Sequence, residues 1–306
     1  LPNKIIQHEK YLFFIAILFS IVATAQHEIV YNLEKGKSYP QNQKVTSEQQ
    51  QVVNGMPQEI TTIITTETDY MVTDIKDGIY YIDIVIKKMS SETKSPMGGT
   101  ELISSDGPAS NSMNTIFKNM IKQPIKITMN RHGEILSFDN SSQMEGLTDD
   151  VEMPQMQLLQ VEAALKKEMD AEKQSSNYQQ LTAILPKEKV AVGDSWFQTI
   201  TVNSIASFEA TSSFQLESVS EDSYMISSTA ILKTPDNSST NLKGMEANYS
   251  LSGPSSGTYT IDKETGWITN ASIKQELDGN IVIKKSDTMP QEMKMTMKTQ
   301  TITIIE

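Results

Sequence analysis

Met293, Met295 and Met297 occupy alternating positions of one segment. On a strand their three thioethers share a face, opposite Lys294, Thr296 and Lys298. Thioethers are soft ligands suited to Cu(I). Long, polarizable methionine side chains also make an adaptable apolar lining for a lipid-like molecule. A strand packed against a helix requires the same alternation, so core packing is a third reading. Soft-metal sites usually add His or Cys, and neither is at hand, so no metal and no other cofactor is expected. The candidate ligand-lining set is Met293, Met295 and Met297 with two aromatic residues, Tyr259 and Trp267.

Other reactive types are scarce. The histidines are His8, His27 and His132, and the sequence has no cysteine. This excludes disulfides, thiolate zinc sites and a cysteine nucleophile. His132 sits in the turn sequence Asn130-Arg-His-Gly133, with no G-x-S-x-G elbow elsewhere to suggest a triad. Neither G-x-x-x-x-G-K-[ST] nor G-x-G-x-x-G is present. Asp149-Asp150-Val151-Glu152 lacks the alternate acids and closing glutamate of a calcium loop. Acids at a helix start, favoured by the helix dipole, explain it better. No catalytic residue is assigned, and a non-enzymatic protein is expected.

The elements that would position the methionines are mostly strands. Apolar residues and threonines alternate over Glu59–Val72, and Ile79–Lys87 follows the turn Lys76-Asp77-Gly78. A second hairpin spans Pro124–Phe138. Further strands are expected over Trp196–Val202, from Phe208 to Leu216, from Tyr224 to Leu232, over Gly257–Asp262, Gly266–Leu277 and Gln291–Ile305. Met113, Ile116, Phe117, Met120 and Ile121 fall at helical spacing in a short amphipathic helix over Asn111–Lys122. A longer surface helix is expected over Asp149–Lys173, opened by an Asp149/Glu152 capping box with Pro154 in its first turn and ended by Ser175-Ser176-Asn177. One or two further helical turns follow from Tyr178 to Leu185. Loops are expected at Ser90–Pro96, Ser104–Ser112 and Pro235–Leu242, rich in turn residues.

The first 25 residues carry a basic start, a short apolar run and Ala23-Thr-Ala25 before Gln26. That is the order of a cleavable secretory signal, with cleavage between Ala25 and Gln26, and the run is short for a membrane anchor. An exported product is expected, periplasmic or secreted. With no cysteine after the leader, it is expected to be soluble and not a lipoprotein. The formal net charge is −12, which argues against nucleic acid and anionic membrane surfaces as partners.

Lys35-Gly-Lys-Ser-Tyr39 and Val192-Gly-Asp-Ser-Trp196 each precede long alternating strands, a weak internal repeat. It points to one β-rich domain over residues 26–306, built of two similar halves (about 29–140 and 190–305) joined by a helical segment, 149–185. Strands of this length favour a strongly twisted antiparallel sheet or half-barrel over a flat sandwich, in a mainly β (α+β) fold with one long and one or two short helices packed on it. The motifs KGKSY, VGDSW and Glu264-Thr-Gly-Trp-Ile268, in this order and spacing, resemble an uncharacterised (domain of unknown function) family of exported proteins from Bacteroidetes-type bacteria. The resemblance implies a periplasmic or surface location and carries over no activity and no site residues.

Two roles fit these observations. One is a non-enzymatic binder of a hydrophobic or lipid-like ligand in a concave sheet. The other is a structural or protein-interaction module of the envelope with no ligand cavity.

Overall fold

The computed structural model describes residues 25–53, 56–96, 98–203, 206–236, 238–242, 245–285 and 290–306. The expected leader, apart from Ala25, lies outside them. Among the described residues thirteen strands form one antiparallel sheet: β1 (Ser38–Val53), β2 (Met56–Lys76), β3 (Ile79–Ser95), β4 (Gly99–Ser104), β5 (Ile125–Met129), β6 (Ile135–Asp139), β7 (Ser195–Asn203), β8 (Ser207–Val219), β9 (Ser223–Lys233), β10 (Ser239–Leu242), β11 (Met245–Asp262), β12 (Ile268–Ile283) and β13 (Met293–Ile305). The strand order is β6-β5-β3-β2-β1-β13-β12-β11-β9-β8-β7, with β4 beside β3 and β10 beside β11. The helices are α1 (Ser112–Met120), α2 (Ser141–Met144), α3 (Gln155–Glu168) and α4 (Ala171–Thr182).

The expected long-stranded, curved, antiparallel sheet with helices against it is what the chain forms. The two halves meet where β1 pairs with β13, Gln43 opposite Ile305 and Val52 opposite Thr296. From β1 the first half runs outward to the edge strand β6, whereas the second half starts at the other edge with β7 and runs inward to β13. The sheet does not close on itself. Instead α4 packs against both edge strands, β6 and β7. Tyr178 of α4 lies 5.6 Å, ring to ring, from Phe138 of β6, and Trp196 Nε1 of β7 donates to Ile184 O just past the helix, 3.0 Å.

The inner face is not uniformly apolar. A large cluster at one end holds Tyr31, Tyr39, Tyr70, Ile82, Ile84, Phe214, Ile226, Tyr259, Ile261 and Trp267. A smaller one at the other end holds Phe208, Leu232, Tyr249, Leu251, Ile281, Ile283 and Met297. Between them on the central strands lies a polar waist, where Ser47 stands opposite Thr301 and Thr62 and Thr301 lies opposite Gln275. Thr301 Oγ1 donates to Ser47 Oγ at 3.3 Å.

The larger cluster is sealed by the segment from His27 to Leu33. His27 pairs with Val190, Tyr31 N donates to Arg131 O at 2.8 Å and Asn32 N to Thr265 O at 2.7 Å. Two glycines make this passage possible. A Cβ on Gly266 would sit 2.1 Å from Val30 O, and one on Gly133 would sit 2.8 Å from the Tyr31 ring and 1.9 Å from Thr182 O at the end of α4; both residues have positive φ.

Several sequence expectations are corrected. Residues 149–173 do not form one helix. The chain breaks between α3 and α4, because Asp170 caps the second helix by accepting from Lys173 N at 3.0 Å. The orphaned carbonyls at the end of α3 are taken by side chains: Glu168 O accepts from Gln174 Nε2 (2.8 Å) and Met169 O from Asn140 Nδ2 (2.7 Å). Ser175-Ser176-Asn177 therefore lies inside α4. The expected Asp149/Glu152 capping box is absent, since α3 starts after Pro154 with no side-chain cap. Lastly, Ser90–Ser95 continues β3 rather than forming a loop, as it gains a ladder with β4, and part of the expected loop at Pro235–Leu242 is β10.

Candidate functional site

A cavity of about 1080 Å³ lies between the smaller cluster and the α3–α4 junction. Its floor follows from strand register. Tyr249 of β11 stands opposite Ile281 of β12, and Ile281 opposite Met295 of β13. Side chains two apart share a face, so Met297 extends the floor along β13 and faces Gln51 of β1. There the lining turns polar: Gln49 Nε2 donates to Gln51 Oε1 (3.2 Å), and Gln51 Nε2 to Gln58 Oε1 (3.1 Å).

The opposite wall comes from the helices. Ala163, Lys166, Lys167 and Glu168 of α3, Asp170, and Glu172, Lys173 and Ser176 of α4 line the same space. Lys173 is held by Glu168 in an ion pair. Ser207, Ser238 and Ser239 add hydroxyls to the wall. The arrangement is an apolar floor under a charged and hydroxylated wall, which suits a molecule with an apolar body and a polar end. Burial raises the pKa of the Tyr249 phenol at the cavity floor.

The structure divides the candidate set. Met295 and Met297 line the cavity. Met293 packs against the smaller cluster beside them. Tyr259 and Trp267 are not brought there; both are buried in the larger cluster at the other end. Trp267 is ringed by Tyr70, Tyr39 and Tyr31, with centroids 5.0, 5.3 and 6.1 Å away, and Tyr259 packs on Phe214. Sequence reasoning missed Tyr249 and Ile281, although both alternate within the apolar patterns of their strands. It also missed the helical wall, which depends on the break at Asp170. Among the described residues, no group of three or more His, Asp or Glu side chains is placed to hold a metal ion.

The three motifs belong to the sealed end, away from the cavity. Tyr39 of the first accepts from Glu34 N at 2.9 Å and packs on Trp267. In the second, Asp194 accepts from Ala191 N at 2.8 Å while Trp196 reaches Ile184 O. In the third, Gly266 lets the 27–33 segment pass.

A family of unknown function (DUF6263) matches residues 77–268, well over half of the chain, and the protein belongs to it. The matched stretch runs from the β2–β3 turn to the start of β12, and so takes in the helical wall of α3 and α4 but not Ile281 or β13 of the floor. No curated protein matches the chain. Among solved structures it is similar to lipovitellin, in a structure describing that protein's lipid–protein interactions, at 10% identity and a TM-score of 0.46. That match covers 90% of this chain but only 25% of the lipovitellin chain. An outer membrane channel from Pseudomonas putida F1 matches at 6% identity over 90% of this chain and 97% of the other, with a TM-score of 0.23. A DUF1329 family protein from Desulfovibrio piger matches at 9% identity over 87% and 83%, with a TM-score of 0.11. At these scores none of the three bears on what the protein binds.

Proposed function

We propose that the protein is an exported, non-enzymatic binder of a hydrophobic or lipid-like molecule, held between the concave sheet and the α3–α4 junction. The observation that carries this is the cavity of about 1080 Å³ with Tyr249, Ile281, Met295 and Met297 on its floor. A volume of this size is at the upper end of ordinary ligand sites, which run to roughly 1,000 Å³. Polar groups gathered on the helical wall suit the head of an amphiphile, and the apolar floor its chain. A purely structural module would be expected to fill this space with side chains.

The carboxylates with displaced pKa values are each held low by their own neighbours. Asp74 is held low by Lys35 and Lys76, Glu134 by Lys187 and Asn130, and Asp139 by Ser141. A general acid needs the opposite displacement, and none of the three lines the cavity. Export rests on the order of charges, apolar run and small residues in the first 25 positions. Among the described residues no helix is long and apolar enough to cross a membrane.

The test is a titration with a fluorescent fatty acid. The wild-type protein should bind it saturably, and Met295→Gln should weaken binding about tenfold by placing an amide on the floor. Met225→Gln, the same change on the exposed face of β9, should leave it unchanged. No saturable binding by the wild type, or equal binding by Met295→Gln, would sink the reading.

A further inference from the structure

We infer that the molecule held in the cavity carries a neutral, hydroxylated head, and that this head lies on a belt of hydroxyl and amide side chains crossing the concave face. The inference rests on the cavity reading above and names the class of ligand within it. Strand register sets the belt. Ser47 of β1 stands opposite Thr301 of β13, Thr301 opposite Gln275 of β12, and Gln275 opposite Ser255 of β11. Ala230 of β9 interrupts the row, which resumes with Ser212 of β8 and Gln198 of β7. The polar waist is thus one row that runs from the middle of the sheet to its β7 edge.

The belt begins where the apolar floor ends. Gln49, which lines the cavity, is two residues from Ser47 on the same face of β1. Met297 of the floor is four residues from Thr301 along β13, about 13 Å. A chain lying on the floor therefore brings its end group to the belt. Laid across the belt, the chain itself would strip those side chains of water and return no hydrogen bonds.

The side chains of the belt select the head. Gln275 and Ser255 are half-buried, and neither side chain has a hydrogen-bond partner among the described residues. A hydroxyl and a primary amide each donate and accept, and a ligand hydroxyl answers both. Charge is kept to the other face. The inward positions of β11, β12 and β13 hold no Asp, Glu, Lys or Arg, while the outward positions of β12 and β13 carry Lys274, Glu276, Asp278, Lys294 and Lys298. A face that was merely wetted would accept charges as the outer face does. The helical wall does not favour a charged head either, because Lys166, Lys167 and Lys173 are matched there by Glu168, Asp170 and Glu172.

Displacement of the fluorescent fatty acid tests this, with a monoacylglycerol and a free fatty acid of the same chain length as competitors, both monomeric in solution. On the wild-type protein the monoacylglycerol should compete about tenfold better, the worth of one or two added hydrogen bonds. Gln275→Leu and Ser255→Ala should each reduce that preference and leave displacement by the free fatty acid unchanged. Ser256→Ala, on the outer face of β11, should leave both unchanged. A wild-type protein that takes up the fatty acid but shows no preference for the monoacylglycerol overturns the head assignment and leaves the cavity reading standing. A preference that survives both belt variants also overturns it. A wild-type protein that takes up no fatty acid overturns both.

Discussion

At the scale of single residues, the motif residues and the cavity residues serve different ends of the molecule. Gly266 combines positive φ with the close passage of Val30 O. Gly266→Ala should therefore destabilise the fold by ~3 kcal/mol, through strain and the displaced 27–33 segment, and urea unfolding would read it. The buried phenols make a second prediction. Burial pushes Tyr178 up to about 12 and holds Tyr31 and Tyr70 well above the ordinary tyrosine range. The unfolded chain loses these protons near pH ~10, so above that point the folded state binds more protons. Their contribution is fully present below about pH 10 and falls as pH rises through the folded values. The urea midpoint should be flat to about pH 9 and drop steeply beyond about pH 10, in step with phenolate absorbance; a flat midpoint there would contradict the buried tyrosine cluster. The sequence carried the Met295/Met297 face because period-two alternation is local. It did not carry the separation of Tyr259 and Trp267 from that face, because the sheet's inner surface is divided by the polar waist, and only strand register shows on which side of it each residue falls.

At the scale of elements, the junction between α3 and α4 decides whether a cavity exists. A single straight helix would carry Lys166, Asp170 and Lys173 along one face; the break at Asp170 instead sets residues of two helices around one space. Asp170→Ala removes the cap on Lys173 N and should cost about 1 kcal/mol. Because that residue also lines the cavity, fatty-acid affinity should change together with thermal stability. Unchanged stability would show that the cap does not hold the junction. The hairpins were legible in advance: the turns at Asp77-Gly78 and Asn130–Gly133 are marked by their residue types, and alternation fixes which strand faces turn inward. The helix break was not legible, because the groups that capture the carbonyls of α3 include Asn140, far away in sequence. The strand at Ser90–Ser95 was hidden for a similar reason. Its residues have loop-like composition, and the ladders that make them a strand come from partners distant in sequence, β2 on one side and β4 on the other.

At the scale of the whole molecule, a sheet too long-stranded to stay flat curls until its edges approach, and α4 spans them in place of strand pairing. One end is sealed by the 27–33 segment and the aromatic ring around Trp267. The other keeps the open space between floor and helices. This asymmetry is the basis for reading the protein as a holder of an apolar molecule rather than a solid scaffold. The most direct measurement is native mass spectrometry of the protein purified without detergent from its own host. The account predicts a discrete mass adduct that organic extraction removes and identifies as an apolar or amphiphilic molecule, with fatty acid able to refill the stripped protein. A bare protein mass, with no uptake of fatty acid afterwards, would contradict it.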